Sequence, residues 1–172
     1  MVYINSSTLV IDNSLRHCLE LFDVTTAEMT TYAGVCGTSG SQLTGHRIDD
    51  IRLTSVISVA FDGSHMIYSS SSGQYKIIGI NMTSDMVHEV CGTGGMHGKS
   101  LLFDQSSQSL FVLVNHAIGK ADISTGQFTV LSGSGSTGDS VGDLRTTEYS
   151  FPFNMMQVNA STLLVSDRNN DR

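Results

Sequence analysis

The sequence contains one proline, no tryptophan and only nine lysine or arginine residues among its 172 positions. With 16 acidic residues, the formal net charge is −7. Binding to nucleic acid needs clustered cations that displace the counterions of the phosphate backbone. The few basic residues here are scattered, so the composition argues against a nucleic-acid partner.

A long apolar run is also missing from the sequence. No stretch of about 18 apolar residues occurs, so no membrane-spanning helix is predicted in this stretch. The first residues, Met1–Asn5, have neither the charged region nor the apolar region of a secretory signal peptide. If the chain is secreted, we expect its signal to lie upstream and the 172 residues to belong to a longer chain.

Glycine, by contrast, is abundant, with 17 residues, and 40% of the residues are hydrophobic. The apolar residues form short segments separated by turns rich in Gly, Ser, Asn and Asp. No segment keeps the 3.6-residue periodicity of an amphipathic helix. These features predict an all-β chain with almost no helix.

An internal repeat organises the short strands into units of four strands, with a period of roughly 43 to 55 residues. A polar turn that leads into an apolar strand occurs four times, at 5–12, 65–70, 109–115 and 159–167. Three glycine-rich stretches close the units, at 34–40, 91–95 and 133–138. This pattern predicts the blades of a β-propeller. The alternative is a β-sandwich whose glycine-rich turns are coincidental. The predicted blades span residues 2–35, 56–95, 99–135 and the start of a fourth at 153–172.

The repeat resembles the NHL family of β-propellers. Residues 163–172 (LLVSDRNNDR) match the family's strand that ends in Asp, followed by an Asn- and Asp-rich turn. Residues 122–135 (DISTGQFTVLSGSG) match its Asp-x-x-Thr-Gly turn and glycine-rich end, and Pro152 precedes an innermost strand. The blade at 56–95 departs from the pattern, because Ser70–Gly73 replaces the Asp and Arg of the first turn.

The resemblance implies a ring that this stretch does not complete. It holds about three and a half blades, whereas propellers of this family usually have about six, or roughly 300 residues. A partial ring leaves blade faces bare. We therefore expect another protein, or the missing part of the same chain, to cover them.

Three N-glycosylation sequons occur, at Asn5, Asn81 and Asn159. In an up-and-down blade, turns emerge alternately on the two faces of the disc. All three asparagines lie in turns that the repeat places on one face. The prediction is a glycan-bearing face and an opposite bare face that meets partners.

Two shorter motifs suggest other functions. Gly133–Gly138 reads G-x-G-x-x-G, but no helix is predicted after it, so a linker is favoured over a dinucleotide site. Asp167, Asn169 and Asp171 have the spacing of the start of a calcium loop, but Arg172 stands where that loop needs Gly. An Asx-rich hairpin is the favoured interpretation, with calcium the less favoured one.

The histidines, at 17, 46, 65, 88, 97 and 116, have no metal-binding spacing, although a propeller is able to gather side chains around its axis. Cys18, Cys36 and Cys91 form an odd set, which predicts a free thiol or an outside partner. Cys18 lies in an apolar strand and is interpreted as a buried reduced cysteine. Cys36 and Cys91 are interpreted as equivalent positions of neighbouring blades, and no pair is assigned.

The favoured function is a non-catalytic extracellular or secreted module of an adhesion, matrix, coat or receptor protein, with N-linked glycans and no cofactor. The alternative is a metal-dependent lyase or hydrolase on the same scaffold. That alternative needs His or Asp side chains that converge at the central channel.

Overall fold

The computed structural model describes residues 1–172 and contains 15 β-strands and two short 3-10 turns. No helix has the length and apolar character needed to cross a membrane. The strands are β1 (Val2–Tyr3), β2 (Thr8–Asn13), β3 (Cys18–Asp23), β4 (Glu28–Ala33), β5 (Gly45–His46), β6 (Val56–Phe61), β7 (Met66–Ser71), β8 (Lys76–Asn81), β9 (Met86–Gly92), β10 (Gly98–Asp104), β11 (Ser109–Val114), β12 (Ala117–Asp122), β13 (Phe128–Ser132), β14 (Pro152–Asn159) and β15 (Thr162–Asp167).

The strands form four antiparallel sheets, each following the chain as a meander. We number them blade 1 (β1–β4), blade 2 (β6–β9), blade 3 (β10–β13) and blade 4 (β14–β15). The short strand β5 adds a fifth member to blade 2 by pairing with β9. The sheets do not close into a ring, and the predicted all-β, four-stranded propeller architecture with a partial ring is confirmed.

Neighbouring blades pack face to face through three apolar clusters. The largest joins blades 1 and 2 around Leu19 and Ile78, and the second joins blades 2 and 3 around Ile77 and Val112. A small cluster of Leu113, Ile118 and Met155 joins blades 3 and 4. Inner strands are therefore covered on both sides, which explains their continuous apolar runs.

A bulge recurs at the same position of the innermost strand in blades 2, 3 and 4. In each pairing of the first and second strands, the second residue of the innermost strand is skipped: Ile57, Lys99 and Phe153. A bulge bends a strand and redirects the bulged side chain. The repeated irregularity shows that the blades share backbone geometry as well as strand order.

The segment between blades 1 and 2, residues 34–55, contributes to the core. It carries β5 and buries Leu43, Ile51 and Leu53 in the first apolar cluster. Sequence patterning does not predict β5, because a two-residue strand is too short to show periodicity. This linker is thus part of the core between the first two blades.

Candidate functional site

The turns of the blades lie on two opposite faces. One side of the molecule carries the turns between the first and second strands and between the third and fourth strands of each blade, and we call it the sequon face. The opposite side carries the turns between the second and third strands and the segments that join the blades, and we call it the linker face. Asn5, Asn81 and Asn159 lie in β1–β2, β8–β9 and β14–β15 turns, so all three belong to the sequon face.

Each sequon asparagine orders its own turn through its side-chain oxygen. Asn5 Oδ1 accepts hydrogen bonds from the backbone amides of Ser7 and Thr8, both at 2.9 Å. Asn81 Oδ1 accepts in the same way from Thr83 and Ser84, at 2.8 and 3.0 Å. Such turns are typical of Asn and Asp. In all three residues the Nδ2 amide donates no hydrogen bond, which leaves the atom that would carry a glycan free.

The hydroxyl of the third sequon residue also contacts this oxygen in two of the sites. Ser7 Oγ donates to Asn5 Oδ1 at 3.2 Å, and Ser161 Oγ donates to Asn159 Oδ1 at 3.0 Å. The Asn5 and Asn159 side chains are exposed. The geometry thus leaves these two asparagines accessible.

On the linker face, a side chain at or just beyond the end of the second strand accepts a hydrogen bond from the incoming linker in three blades. Ser71 Oγ accepts from the backbone amide of Thr54, and Asp167 Oδ1 accepts from that of Ser150. These two residues are equivalent, because they pair with Val56 and Pro152, each just before the bulge. In blade 3 the equivalent residue is Val114, and its neighbour Asn115 accepts from the amide of His97 instead.

Asp167, the first residue of the calcium-like motif, faces hydrogen-bond donors on all sides. Ser150 N donates to Oδ1 at 2.7 Å, Asn170 Nδ2 donates to Oδ2 at 2.6 Å, and Arg172 Nε lies 3.6 Å from Oδ2. A carboxylate surrounded by donors and a guanidinium is a poor calcium ligand. The residues therefore fit a structural turn and do not fit a cation site.

The glycine-rich stretch at 133–138 follows β13 and leads into irregular chain without a helix. Gly133 has φ of +110°, and a Cβ there would lie 2.6 Å from the carbonyl oxygen of His116. Its glycine is thus required by the close approach of the linker to blade 3. Without a helix N-terminus, the stretch lacks the element that binds a pyrophosphate.

Three of the six histidines bond to backbone at the joins between blades. His17 Nδ1 accepts from Ser55 N at 3.2 Å, His97 Nδ1 donates to the carbonyl of Ser72 at 3.0 Å, and His116 Nδ1 donates to that of Tyr149 at 3.1 Å. The structure does not bring the histidines together. Its one compact group of metal-ligand types is Cys18, Glu20 and Cys36, and two of these sulfurs are already bonded to each other.

Cys18 and Cys36 form a disulfide, so the interpretation of Cys18 as a reduced cysteine is wrong. Cys18 is the first residue of β3, and Cys36 lies three residues beyond the end of β4. The β3–β4 hairpin brings the two residues together, with 5.0 Å between their Cα atoms. The equivalence of Cys36 and Cys91 is also wrong. The register pairs Cys91 with Ile77 and Ala33 with Leu19, so Ala33 is the counterpart of Cys91. Cys91 is buried, and burial raises its thiol pKa to about 11.

A cavity of about 870 Å³ lies where the innermost strands of the four blades converge. Its wall is largely apolar and includes all three bulged residues, Ile57, Lys99 and Phe153. Lys99 and Arg168 are its two cationic side chains, and they lie over the rings of Phe151 and Phe153. Burial lowers the pKa of the Lys99 ammonium group. The sequence predicts a central channel but not which residues line this cavity, because the lining comes from every blade.

No protein-family model matches the chain, and no curated protein matches its sequence. In structure it is similar to an auxiliary nutrient binding protein from Bacteroides thetaiotaomicron, at 17% identity and a TM-score of 0.64. That match covers 96% of this chain and 44% of the other.

Two further solved structures are similar to the chain. A chain of the nidogen–laminin complex matches at 13% identity and a TM-score of 0.59, covering 95% of this chain and 68% of the other. Hydrazine synthase of Kuenenia stuttgartiensis matches at 13% identity and 0.55, covering 75% and 33%. The chain thus spans less than half of two of these three structures. At such identities the likeness shows a propeller-like fold and nothing finer.

Proposed function

We propose that this chain is a non-catalytic extracellular binding or scaffold module, built on an NHL-like propeller, that meets a protein partner through its linker face. The observation that carries the proposal is the position of the sequons. All three asparagines lie on the sequon face, each with a free Nδ2 amide. Glycans on that face would leave the linker face as the bare surface.

The disulfide supports an extracellular location. Disulfides persist in oxidising compartments and are rare in the cytosol. Cys18 and Cys36 link strand β3 to the stretch that follows β4, which stabilises blade 1. N-glycosylation takes place in the same secretory pathway, so the sequons and the disulfide independently favour one compartment.

The similar structures include an auxiliary nutrient binding protein and a chain of a complex between nidogen and laminin. A binding role for this chain is consistent with both. Its NHL-like features are the Asp167 turn and the Asp122–Gly126 turn, in which Asp122 Oδ1 accepts from the amides of Ser124 and Thr125.

The exposed apolar faces of the terminal blades also favour association. Met156 and Leu164 stand opposite each other on the free face of blade 4 and are 55% and 58% exposed. Apolar side chains in this position face the next blade in a propeller. Further blades or a partner protein would cover them.

The first test is glycosylation of the chain secreted from eukaryotic cells. We expect the intact mass to fall on enzymatic deglycosylation, and peptide mapping to place glycans on Asn5, Asn81 or Asn159. Substitution of each Asn by Gln should remove its glycan alone. Three unmodified asparagines in the secreted protein would contradict the glycan-bearing face.

The second test places a glycan on the linker face. Gly135→Asn creates the sequon 135–137 at an exposed position where φ is +83°, a conformation that Asn tolerates. We expect the added glycan to abolish binding of the secreted protein to intact cells or matrix. The matched control is Gly135→Asn with Thr137→Ala, which keeps the Asn but destroys the sequon. Unchanged binding with the glycan present would remove the linker face as the binding surface.

A further inference from the structure

The central cavity has features of a small-molecule site that the proposed protein-binding role does not use. Its volume, about 870 Å³, lies within the range of ligand pockets, roughly 300 to 1,000 Å³. Such pockets are largely apolar with a few placed polar groups. The wall fits that description, because most of its residues are hydrophobic.

The bulges bring specific side chains into this cavity. Ile57, Lys99 and Phe153 occupy the same bulged position in blades 2, 3 and 4, and all three line the wall. Bulges are common next to binding and active sites, where they redirect side chains. Three blades thus use one backbone irregularity to build one wall.

Backbone strain occurs at the same edge. Phe151, the residue just before β14, has φ of +53° and lines the cavity with its ring 51% exposed. A bulky non-glycine residue in the left-handed region is uncommon and costs free energy. The equivalent residue just before β6, Ser55, has the same conformation, with φ of +50°, so two blades enter this wall through a left-handed residue.

The two cations of the wall lack carboxylate partners. Of the nine lysine and arginine residues, four form ion pairs with acidic side chains: Arg16, Arg47, Lys76 and Arg172. Lys99 and Arg168 instead lie over aromatic rings, with Lys99 Nζ 4.6 Å from the centroid of Phe151 and Arg168 Cζ 5.9 Å from that of Phe153. The one carboxylate of the wall, Asp12, forms no ion pair with Lys99 or Arg168.

From this geometry we infer that the cavity binds a small organic anion, a carboxylate attached to an aromatic or other apolar body. The apolar body would contact the innermost strands and the phenylalanine rings, and the carboxylate would pair with Lys99 and Arg168. An anion is the ligand that fits, because neither Lys99 nor Arg168 forms an ion pair with a carboxylate of the protein. The inference does not depend on the sequons or on the linker face.

The test compares 2-naphthoate with uncharged 2-naphthalenemethanol by isothermal titration calorimetry on the intact chain. We expect the anion to bind more tightly than the alcohol. Lys99→Met and Arg168→Met keep apolar stems but lose the charge, and each should weaken naphthoate binding at least about tenfold, the effect of losing a charged hydrogen bond. Binding of the alcohol should stay unchanged in both variants.

The control variant is Lys120→Met. Lys120 also lies over a ring, with Nζ 5.9 Å from the Phe111 centroid, but it is outside the cavity. Equal binding of the two compounds, no binding of either at millimolar concentration, or an equal loss in Lys120→Met would each overturn the inference. A loss of self-association in Lys99→Met and Arg168→Met, seen by size-exclusion chromatography, would assign the cations to an interface between copies and overturn it as well.

Discussion

The carboxylate of Asp104 is expected to make the stability of blades 3 and 4 depend on pH. Asp104 is buried at the end of β10 and accepts hydrogen bonds from Ser107 Oγ at 2.6 Å and Ser106 Oγ at 2.8 Å. Gln157 Nε2, in blade 4, donates to it at 3.3 Å. The hydrogen bond from Ser107, with support from Ser106 and Gln157, lowers the pKa of Asp104 from 3.8 to about 2.

A carboxylate whose pKa is lower in the folded state stabilises the fold when it is ionised. Its contribution is complete above the unfolded pKa near 4 and is lost as the pH falls toward 2. One pKa unit corresponds to about 1.4 kcal/mol, so the full shift corresponds to about 2 kcal/mol. Because part of this local hydrogen bonding persists in the unfolded chain, we expect about 1 to 2 kcal/mol.

The variant that tests this prediction is Asp104→Asn, which keeps the shape but removes the charge. It is produced in a host without N-glycosylation, because the change creates the sequon 104–106. Urea unfolding, followed by circular dichroism, should show a free energy of unfolding lower by that amount at pH 7. The difference between variant and parent should shrink as the pH falls and vanish near pH 2. Asp139→Asn is the matched control, because the exposed Asp139 side chain makes no hydrogen bond. A difference that stays constant from pH 7 to pH 2, or that Asp139→Asn reproduces, would refute the reasoning.

Two further predictions concern the disulfide and the linker-binding position. Replacing Cys18 and Cys36 together by Ser should lower the free energy of unfolding by about 3 kcal/mol, since the bond closes a loop of 18 residues. A reductant should destabilise the parent protein and the Cys91→Ser variant but leave the double variant unchanged. Equal sensitivity of all three proteins to the reductant would contradict the pairing. Ser71→Ala removes the hydroxyl that bonds Thr54 and should cost about 1 to 3 kcal/mol in thermal or urea unfolding. Ser69→Ala is its control, because the buried Ser69 hydroxyl has no partner, so its loss should be neutral or stabilising.

The repeat in the sequence predicts the sheet order because its signals are local. A strand of alternating or continuous apolar residues ends at an Asn or Asp whose side chain accepts hydrogen bonds from the amides two and three residues further on. This signal depends on a few neighbouring residues. Asp23, Asp62 and Asp122 close hairpins in this way. In all three turns the pKa of the carboxyl is lowered, because the hydrogen bonds from backbone and side chains outweigh the rise that burial would cause.

The same locality explains the errors. Cys36 and Cys91 both stand in the sequence Val-Cys-Gly-Thr, and this similarity suggests that they are equivalent. The strand register instead pairs Cys91 with Ile77 and makes Ala33 its counterpart in blade 1. The disulfide depends on how a hairpin returns Cys36 past Cys18. The hydrogen bonds to the linkers escape detection for another reason, since Ser71 and Asp167 are chemically different residues in equivalent places and Asn115 of blade 3 lies one residue further along.

The sequence by itself determined that this chain is an all-β array of repeated four-stranded units, because strand periodicity and turn chemistry depend on near neighbours. It also determined which asparagines share a face, since alternating turns follow from strand count alone. Only the tertiary structure decided the Cys18–Cys36 pairing and the convergence of Ile57, Lys99 and Phe153 on one cavity. The physical reason is that those contacts join residues far apart in the chain, and their distances depend on how the blades bend and pack together.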